Sequence, residues 1–353
     1  MGSPNSLFDS RSGRTLQQPS ARQLIRGLII GLLFALIVLT LFTVVGDARK
    51  LSDSLRSYRW IYLAPIVALT IWNYWWRFLK WEMYLEALEV PHIPRRRGIP
   101  IFLSGFSMSV TPGKIGEVIK AFNVRRETGA PVERVSGAVV AERVTDALAM
   151  LILAIVGATR FSYGRIFVVA LIVAAAVCLF LLRRPGVIAF AVRNLGRLPI
   201  VDRFVHLAES FFASITHLLS ARLLIKGTAL GVISWTGECV AFFLVLAGLG
   251  IPATPSLLLI AVFVLAVSSL AGGISLLPGG LGVADASVAG MLIVLVKSPE
   301  MTDSLAIAAT LLIRFATLWF AVMLGALMLL VLRRGMARNN PVAVKPASLS
   351  KGE

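Results

Sequence analysis

Cysteine, histidine and charge are all scarce in this chain. Its 353 residues include 2 Cys and 3 His, and only 15% are charged. Cys178 and Cys239 both sit in apolar segments. They exclude a disulfide scaffold and read as free buried thiols. The three His fall outside the apolar runs without metal-ligand spacing, and no G-x-S-x-G motif occurs, so neither a metal centre nor a hydrolase nucleophile is expected. Soluble proteins carry about 25% charged residues. With 57% hydrophobic residues and so little charge, an ordinary soluble domain is excluded, as is a disordered chain. Acid is the scarcest charge: 18 Asp+Glu against 35 Lys+Arg leave a net +17. In a soluble protein that balance would suggest nucleic acid. At a mean hydropathy of +0.83 it points instead to cationic loops on one face of a membrane.

A membrane span needs roughly 20 apolar residues to cross about 30 Å of hydrocarbon. Six segments qualify: 25–45, 60–79, 135–158, 166–182, 227–249 and 303–332. The first follows Arg11, Arg14, Arg22 and Arg26 but is too long for a signal peptide and lacks a small-x-small cleavage site, so it reads as a retained helix. Trp60, Tyr62, Trp72, Trp75, Trp76 and Trp81 suit an interfacial aromatic belt. Residues 187–220 interleave Arg193, Arg197, Arg203, His206 and His217 with Phe190, Phe204, Phe211 and Phe212. That pattern reads as amphipathic helix on the cytoplasmic leaflet. Residues 1–20 and 337–353 are polar and read as disordered cytoplasmic tails around one transmembrane domain, 21–336.

Two further apolar stretches are broken. Residues 100–122 contain Thr111-Pro112-Gly113-Lys114-Ile115-Gly116-Glu117, and 256–296 contain Gly272-Gly273 and Leu277-Pro278-Gly279-Gly280-Leu281-Gly282. Proline removes a backbone donor, and each interior glycine costs a helix about 1 kcal/mol. Broken backbone at membrane depth survives only within protein or beside water. Both stretches therefore read as re-entrant pairs of half-helices. With the N-terminus cytoplasmic, 26 Lys/Arg fall on the cytoplasmic side and 7 on the other, so both termini face the cytoplasm. The cytoplasmic 26 include Arg77, Lys80 and Lys120.

The two breaks resemble each other. Ser109 and Ser275 each precede the proline by three residues, and a span with one buried arginine follows: Arg143, 31 residues after Pro112, and Arg314, 36 after Pro278. In this topology the first hairpin enters from the cytoplasm and the second from outside, so the repeat is inverted. Paired broken segments in corresponding halves point to a transport site near the bilayer midplane. The expected fold is an all-α polytopic membrane bundle of six full spans and two oppositely oriented re-entrant hairpins.

The chemistry of that site is anionic recognition. Gly113, Gly116, Gly279, Gly280 and Gly282 leave backbone N–H groups accessible at half-helix starts, where phosphate binds readily. Lys114, Arg143 and Arg314 add full positive charge. A buried arginine costs about 2.5–3.5 kcal/mol on insertion scales and so faces a partner or a polar cavity. Arg143 has Asp146 at i+3; Arg314 has no acid at i±3 or i±4. Among the acids, Glu117 and Asp285 either cap the half-helices or take part in transport. Glu142 and Asp146 share a face and either carry protons or neutralise Arg143 and Lys114. Glu238, alone in its span, is a candidate for proton relay or headgroup contact, with a structural role as the alternative. Pro112 and Pro278 are hinge residues. Serines 109 and 275 belong to the same substrate-binding set.

The pattern Thr111-Pro112-Gly113-x-x-Gly116-Glu117, Ala141-Glu142-Arg143-x-x-Asp146 and Leu277-Pro278-Gly279-Gly280-Leu281-Gly282 resembles the flippase-like transmembrane module of lysylphosphatidylglycerol synthases, and stand-alone UPF0104-type proteins, over roughly residues 25–335. Lys114 departs from the glycine expected in many members. Only about 20 polar residues follow Leu332, so the lysine-transfer activity of the synthases is not carried over. The resemblance implies a multi-pass protein of the plasma (inner) membrane that translocates an anionic phospholipid or a polyprenyl-phosphate-linked glycolipid. It implies no cofactor, no catalytic residue and no nucleic-acid partner. A transporter or channel for a small soluble anion is the alternative. A lipid-modifying enzyme or a passive scaffold accounts for fewer of these residues.

Overall fold

The computed structural model of the chain describes residues 48–111, 117–161, 169–170, 172–173 and 205–339. The expected first span, most of the fourth, Cys178, and residues 112–116 of the first break lie outside the described residues. All described secondary structure is helical. α1 (Ala48–Arg56) and a 3-10 turn (Trp60–Tyr62) lead into α2 (Leu63–Ala87). α3 (Arg95–Ser104) passes through a 3-10 turn (Gly105–Met108) towards the first break, and α4 (Ile119–Thr128) leaves it. Then come α5 (Val132–Ala158), α6 (Val205–Leu218) and α7 (Ala221–Gly248). α8 (Pro255–Ile274), a 3-10 turn (Pro278–Gly280) and α9 (Val283–Leu295) form the second broken segment. α10 (Asp303–Arg314) continues through a π turn (Phe315–Trp319) into α11 (Phe320–Asn339).

Local sequence explains the ends. Gly129, at φ +78°, closes α4 in the left-handed conformation that glycine adopts without strain. Thr254 accepts the Leu257 N–H (3.2 Å) and Pro255 opens α8; Thr302 accepts the Leu305 N–H (3.2 Å) to open α10.

Four helical segments are long and apolar enough to cross a membrane: Ala221–Gly248, Pro255–Ile274, Pro278–Leu295 and Asp303–Leu332. α2 and α5, at 25 and 27 residues, have the length but carry charge along their middles. α3 and α4 are 10 residues each, about 15 Å, half of the hydrocarbon thickness. α8 is different. The expected break at Gly272-Gly273 is absent, and the helix runs a full 20 residues to Ile274. A glycine inside a helix costs only about 1 kcal/mol, and Gly272 is needed where it stands. A Cβ there would come within 2.8 Å of the Ala284 Cβ. The break itself begins at Ser275. Leu276 has φ +53°, and Gly279, Gly280 and Gly282 have φ +62°, +67° and +82°.

The placement of three loop cations is also corrected. α2 does not end near Leu79 but continues to Ala87, so Arg77 and Lys80 belong to a buried helix rather than a cytoplasmic loop. Lys120 is likewise buried in α4. All three must leave the count of loop cations. Over its described part, the amphipathic stretch packs on α5: Ser214, Ile215 and Leu218 are buried, and a Cβ on Gly137 would lie 2.7 Å from the Ser214 Cβ. α11 is helical to Asn339, beyond the expected boundary at 336.

The bundle is built around α2, α5 and α7. Gly227, Gly231, Ser234 and Glu238 follow one another at i, i+4, i+7 and i+11 on α7, giving a stripe of small residues ending in an acid. Small residues let membrane helices approach closely enough for van der Waals contact and interhelical hydrogen bonds. Asn73 Nδ2 donates to the Ser234 carbonyl (3.1 Å) and Ser234 Oγ donates to the Asn73 carbonyl (3.1 Å), locking α2 to α7. Gly227 abuts the Tyr84 hydroxyl and lies near Thr145 of α5. Gly227→Leu is therefore expected to wedge α7 away from α2 and α5 and to destabilise the bundle by about 1–3 kcal/mol. A lowered melting temperature of the purified protein in detergent checks this; an unchanged one would show that the helices have slack here.

Candidate functional site

Among the described residues, the ion-paired side chains within the bundle form two groups, one near each break. The first gathers on α2, α4 and α5. Lys80 Nζ lies 2.5 Å from Asp146 Oδ1 and 3.4 Å from Thr145 Oγ1. Lys120 Nζ lies 2.6 Å from Glu142 Oε2. Arg143 Nη2 lies 3.3 Å from Glu117 Oε2 and 3.5 Å from Asp146 Oδ2. Arg77 stands 3.9 Å from Asp146, its guanidinium 5.0 Å from the Phe106 ring centre and 5.7 Å from that of Trp235. That sandwich lets a cation stay buried against ring faces. Glycine again makes the room: a Cβ on Gly105 would come within 2.6 Å of the Lys120 stem.

The second group sits on α9 and α10. Arg314 Nε lies 2.5 Å from Asp285 Oδ1, and its Nη1 lies 3.5 Å from the Gly279 carbonyl. Asp285 Oδ2 accepts the Gly282 N–H (2.8 Å), capping α9 at its first turn. The absence of an acid near Arg314 in sequence therefore does not leave it unpaired; Asp285, 29 residues earlier, neutralises it. Directly after Arg314 the helix widens into the π turn, and Tyr74 Oη of α2 donates to the Thr317 carbonyl within it (2.8 Å). Such turns often mark functional positions in helices.

The second break lies against the residue that leads into the first. A Cβ on Gly279 would lie 3.6 Å from Val110 Cγ1, and Val110 immediately precedes the Thr111-Pro112 break. Gly325 of α11 packs against the Ser107 backbone on the same approach to the first break. The two serines differ in role. Ser109 Oγ donates to Glu117 Oε1 (3.3 Å), whereas Ser275 Oγ closes its own turn by donating to the Gly272 carbonyl (2.8 Å). Pro112, Gly113, Lys114 and Gly116 lie outside the described residues.

Exposure separates the cations by task. The side chains of Lys80 and Lys120 are 1% exposed, sealed against their carboxylates, whereas Arg143 and Arg314 retain 27% and 20%. Glu142 pairs with Lys120, while Asp146 pairs with Lys80 and also faces Arg143 at 3.5 Å, the partner that the i+3 spacing suggested. Arg143 Nε and Nη2 are buried without a hydrogen-bond partner. Glu238 is buried on α7. Among the described residues, no group of His, Cys, Asp and Glu is arranged to hold a metal ion.

Sequence reasoning missed Arg77, Lys80 and Lys120. A signal for the first two was present: Asn73, Arg77, Lys80 and Tyr84 recur at i, i+4, i+7 and i+11, a polar stripe on one face of an aromatic-rich helix.

The family pattern described as "Lysylphosphatidylglycerol synthase TM region" matches residues 28–325. A "UPF0104 membrane protein" of Methanothermobacter thermautotrophicus is 24% identical over 326 residues, covering 85% of this chain and 94% of the relative.

Proposed function

Because the chain belongs to the lysylphosphatidylglycerol synthase TM region family and is a membrane protein, we propose that it translocates an anionic lipid between leaflets. The observation that carries this reading is the approach of Gly279 in the second break to Val110 at the threshold of the first, with a partly open arginine paired to the acid that follows each break. Arginine matches phosphate with a planar fork of donors, and a helix start adds backbone N–H groups. Arg143 and Arg314 bind the headgroup phosphate, Lys114 adds charge, and the glycines at 113, 116, 279, 280 and 282 bring backbone donors close. The substrate is an anionic phospholipid or a polyprenyl-phosphate-linked glycolipid, its tails remaining in the bilayer.

The half-bilayer lengths of α3 and α4 support a re-entrant first hairpin. The inverted repeat then permits alternating exposure of one cationic cavity to the two leaflets, with Pro112 and Pro278 at the hinges. Six full spans, an inner-membrane location and two cytoplasmic termini complete the proposal. The protein carries lipid and performs no covalent chemistry on it.

The test is reconstitution into liposomes, with lipidomics of the purified protein alongside. A specific anionic lipid is expected to co-purify, and a labelled analogue of it to cross leaflets only in liposomes containing the protein. Uptake of inorganic phosphate, with no lipid retained and none translocated, would favour the small-anion transporter instead.

A further inference from the structure

The two arginines proposed for the headgroup are not bare. Each is held by a carboxylate that follows its own break, and the two arrangements correspond. Glu117 lies just past the first break and reaches Arg143; Asp285 lies just past the second and reaches Arg314. Both carboxylates are buried, at 1% and 2% exposure. Each also keeps a second polar partner that does not depend on the arginine. Ser109 Oγ donates to Glu117 Oε1, and the Gly282 N–H donates to Asp285 Oδ2. At Asp285 a single carboxylate thus receives an arginine and a helix-start N–H together, the donor set that an incoming phosphate would use.

We propose that Glu117 and Asp285 are built-in counter-anions: each occupies the phosphate position on its arginine, and the headgroup enters by displacing it. The proposal rests on the lipid-translocation reading and adds its affinity-determining residues. Exchange of one anion for another spares the arginine a bare state in a low-dielectric site, where an uncompensated charge is costly. The displaced carboxylate keeps its serine or glycine hydrogen bond, which offsets part of the cost of leaving the arginine. The same device sets release: the carboxylate returns to the arginine and expels the phosphate. The halves differ in tightness. Arg314 is held at 2.5 Å, whereas Arg143 has only the longer 3.3 and 3.5 Å approaches. Arg143 is therefore the readier half, and Asp285 the stronger competitor.

The test uses the full chain in detergent, titrated calorimetrically with short-chain phosphatidylglycerol and, separately, with inorganic phosphate. Asp285→Asn preserves the cap, because the amide oxygen still accepts the Gly282 N–H, but it no longer neutralises Arg314. It is expected to bind phosphatidylglycerol roughly tenfold more tightly, a factor that removal of one competing charge readily supplies. Its translocation at saturating lipid should slow, since release loses its competitor. Glu117→Gln should shift the same way by less, and decides the matter if Asp285→Asn does not fold. If both variants bind as wild type does, or more weakly, while Arg314→Gln abolishes binding, the counter-anion role is overturned and the lipid reading stands. If wild type binds neither lipid nor phosphate, both fall. Tightening confined to inorganic phosphate keeps the counter-anion role and moves the substrate to a free anion.

Discussion

Arg143→Gln together with Arg314→Gln is expected to reduce leaflet translocation at least a hundredfold. Truncating one partner of a buried charge pair costs about 2–5 kcal/mol, and each 1.4 kcal/mol is a factor of ten. Loss of two phosphate contacts reaches a hundredfold even at the low end of that range. The plain double variant has a flaw, because it leaves Glu117 and Asp285 as buried carboxylates without their arginines. A collapsed protein would then imitate a dead transporter. Neutralising each pair together avoids this. Glu117→Gln with Arg143→Gln, and Asp285→Asn with Arg314→Gln, remove equal and opposite charge at sites 3.3 and 2.5 Å apart. The quadruple variant should fold, as judged by its melting temperature and elution profile, and yet not translocate. The measurement is the rate at which a fluorescent anionic lipid becomes accessible to an external quencher in liposomes. A folded quadruple variant with wild-type rates would remove the arginines from the mechanism.

The information that places those arginines was unevenly distributed along the chain. Helix α7 is written locally, as an apolar run with small residues at helical spacing, and its observed bounds, Ala221–Gly248, enclose nearly all of the segment read from hydropathy. The second break was also legible, because Pro278 and three glycines with positive φ cannot continue a helix. Gly272-Gly273 was misread for the opposite reason. A glycine pair signals either a break or a close helix contact, and only the position of Ala284 decides which.

Charge was harder to read than backbone. Arg77 and Lys80 follow an apolar run and look like the cytoplasmic flank that the positive-inside rule describes. Their burial depends on Asp146, which is 66 residues from Lys80. Arg314 looked partnerless because a search at i±3 and i±4 does not reach Asp285, 29 residues away. Spacing rules capture pairs on one helix; these pairs join different helices. The correspondence of the two halves in sequence singles out Arg143 and Arg314, and these side chains stay partly exposed while Lys80 and Lys120 are sealed.

Those sealed lysines carry the largest expected effect on stability. Lys80→Met should destabilise the protein by about 3–5 kcal/mol, the range found when a buried ion pair loses one member. Lys80 is fully buried, and its ammonium touches Asp146 at 2.5 Å. Arg77 at 3.9 Å and Arg143 at 3.5 Å are too far away to replace it with short hydrogen bonds. The methionine fits the volume, so the loss reads out charge and not packing. Asp146→Asn alone should also destabilise, because it leaves the ammonium sealed against a neutral amide. The double variant Lys80→Met, Asp146→Asn should be far less harmed than the two losses added together, since it removes equal and opposite charge and leaves Arg143 on Glu117 and Arg77 between its rings. A thermodynamic cycle on the four proteins, from denaturation in detergent, measures that coupling, expected at about 2–3 kcal/mol. Simple additivity would mean that water or other groups compensate each partner separately. A translocation assay on the double variant then separates framework from machinery. If Lys80 and Asp146 only hold α2 against α5, transport persists when both are neutralised. If transport stops while stability returns, Asp146 works on Arg143 across their 3.5 Å gap, and the framework pair belongs to the mechanism as well.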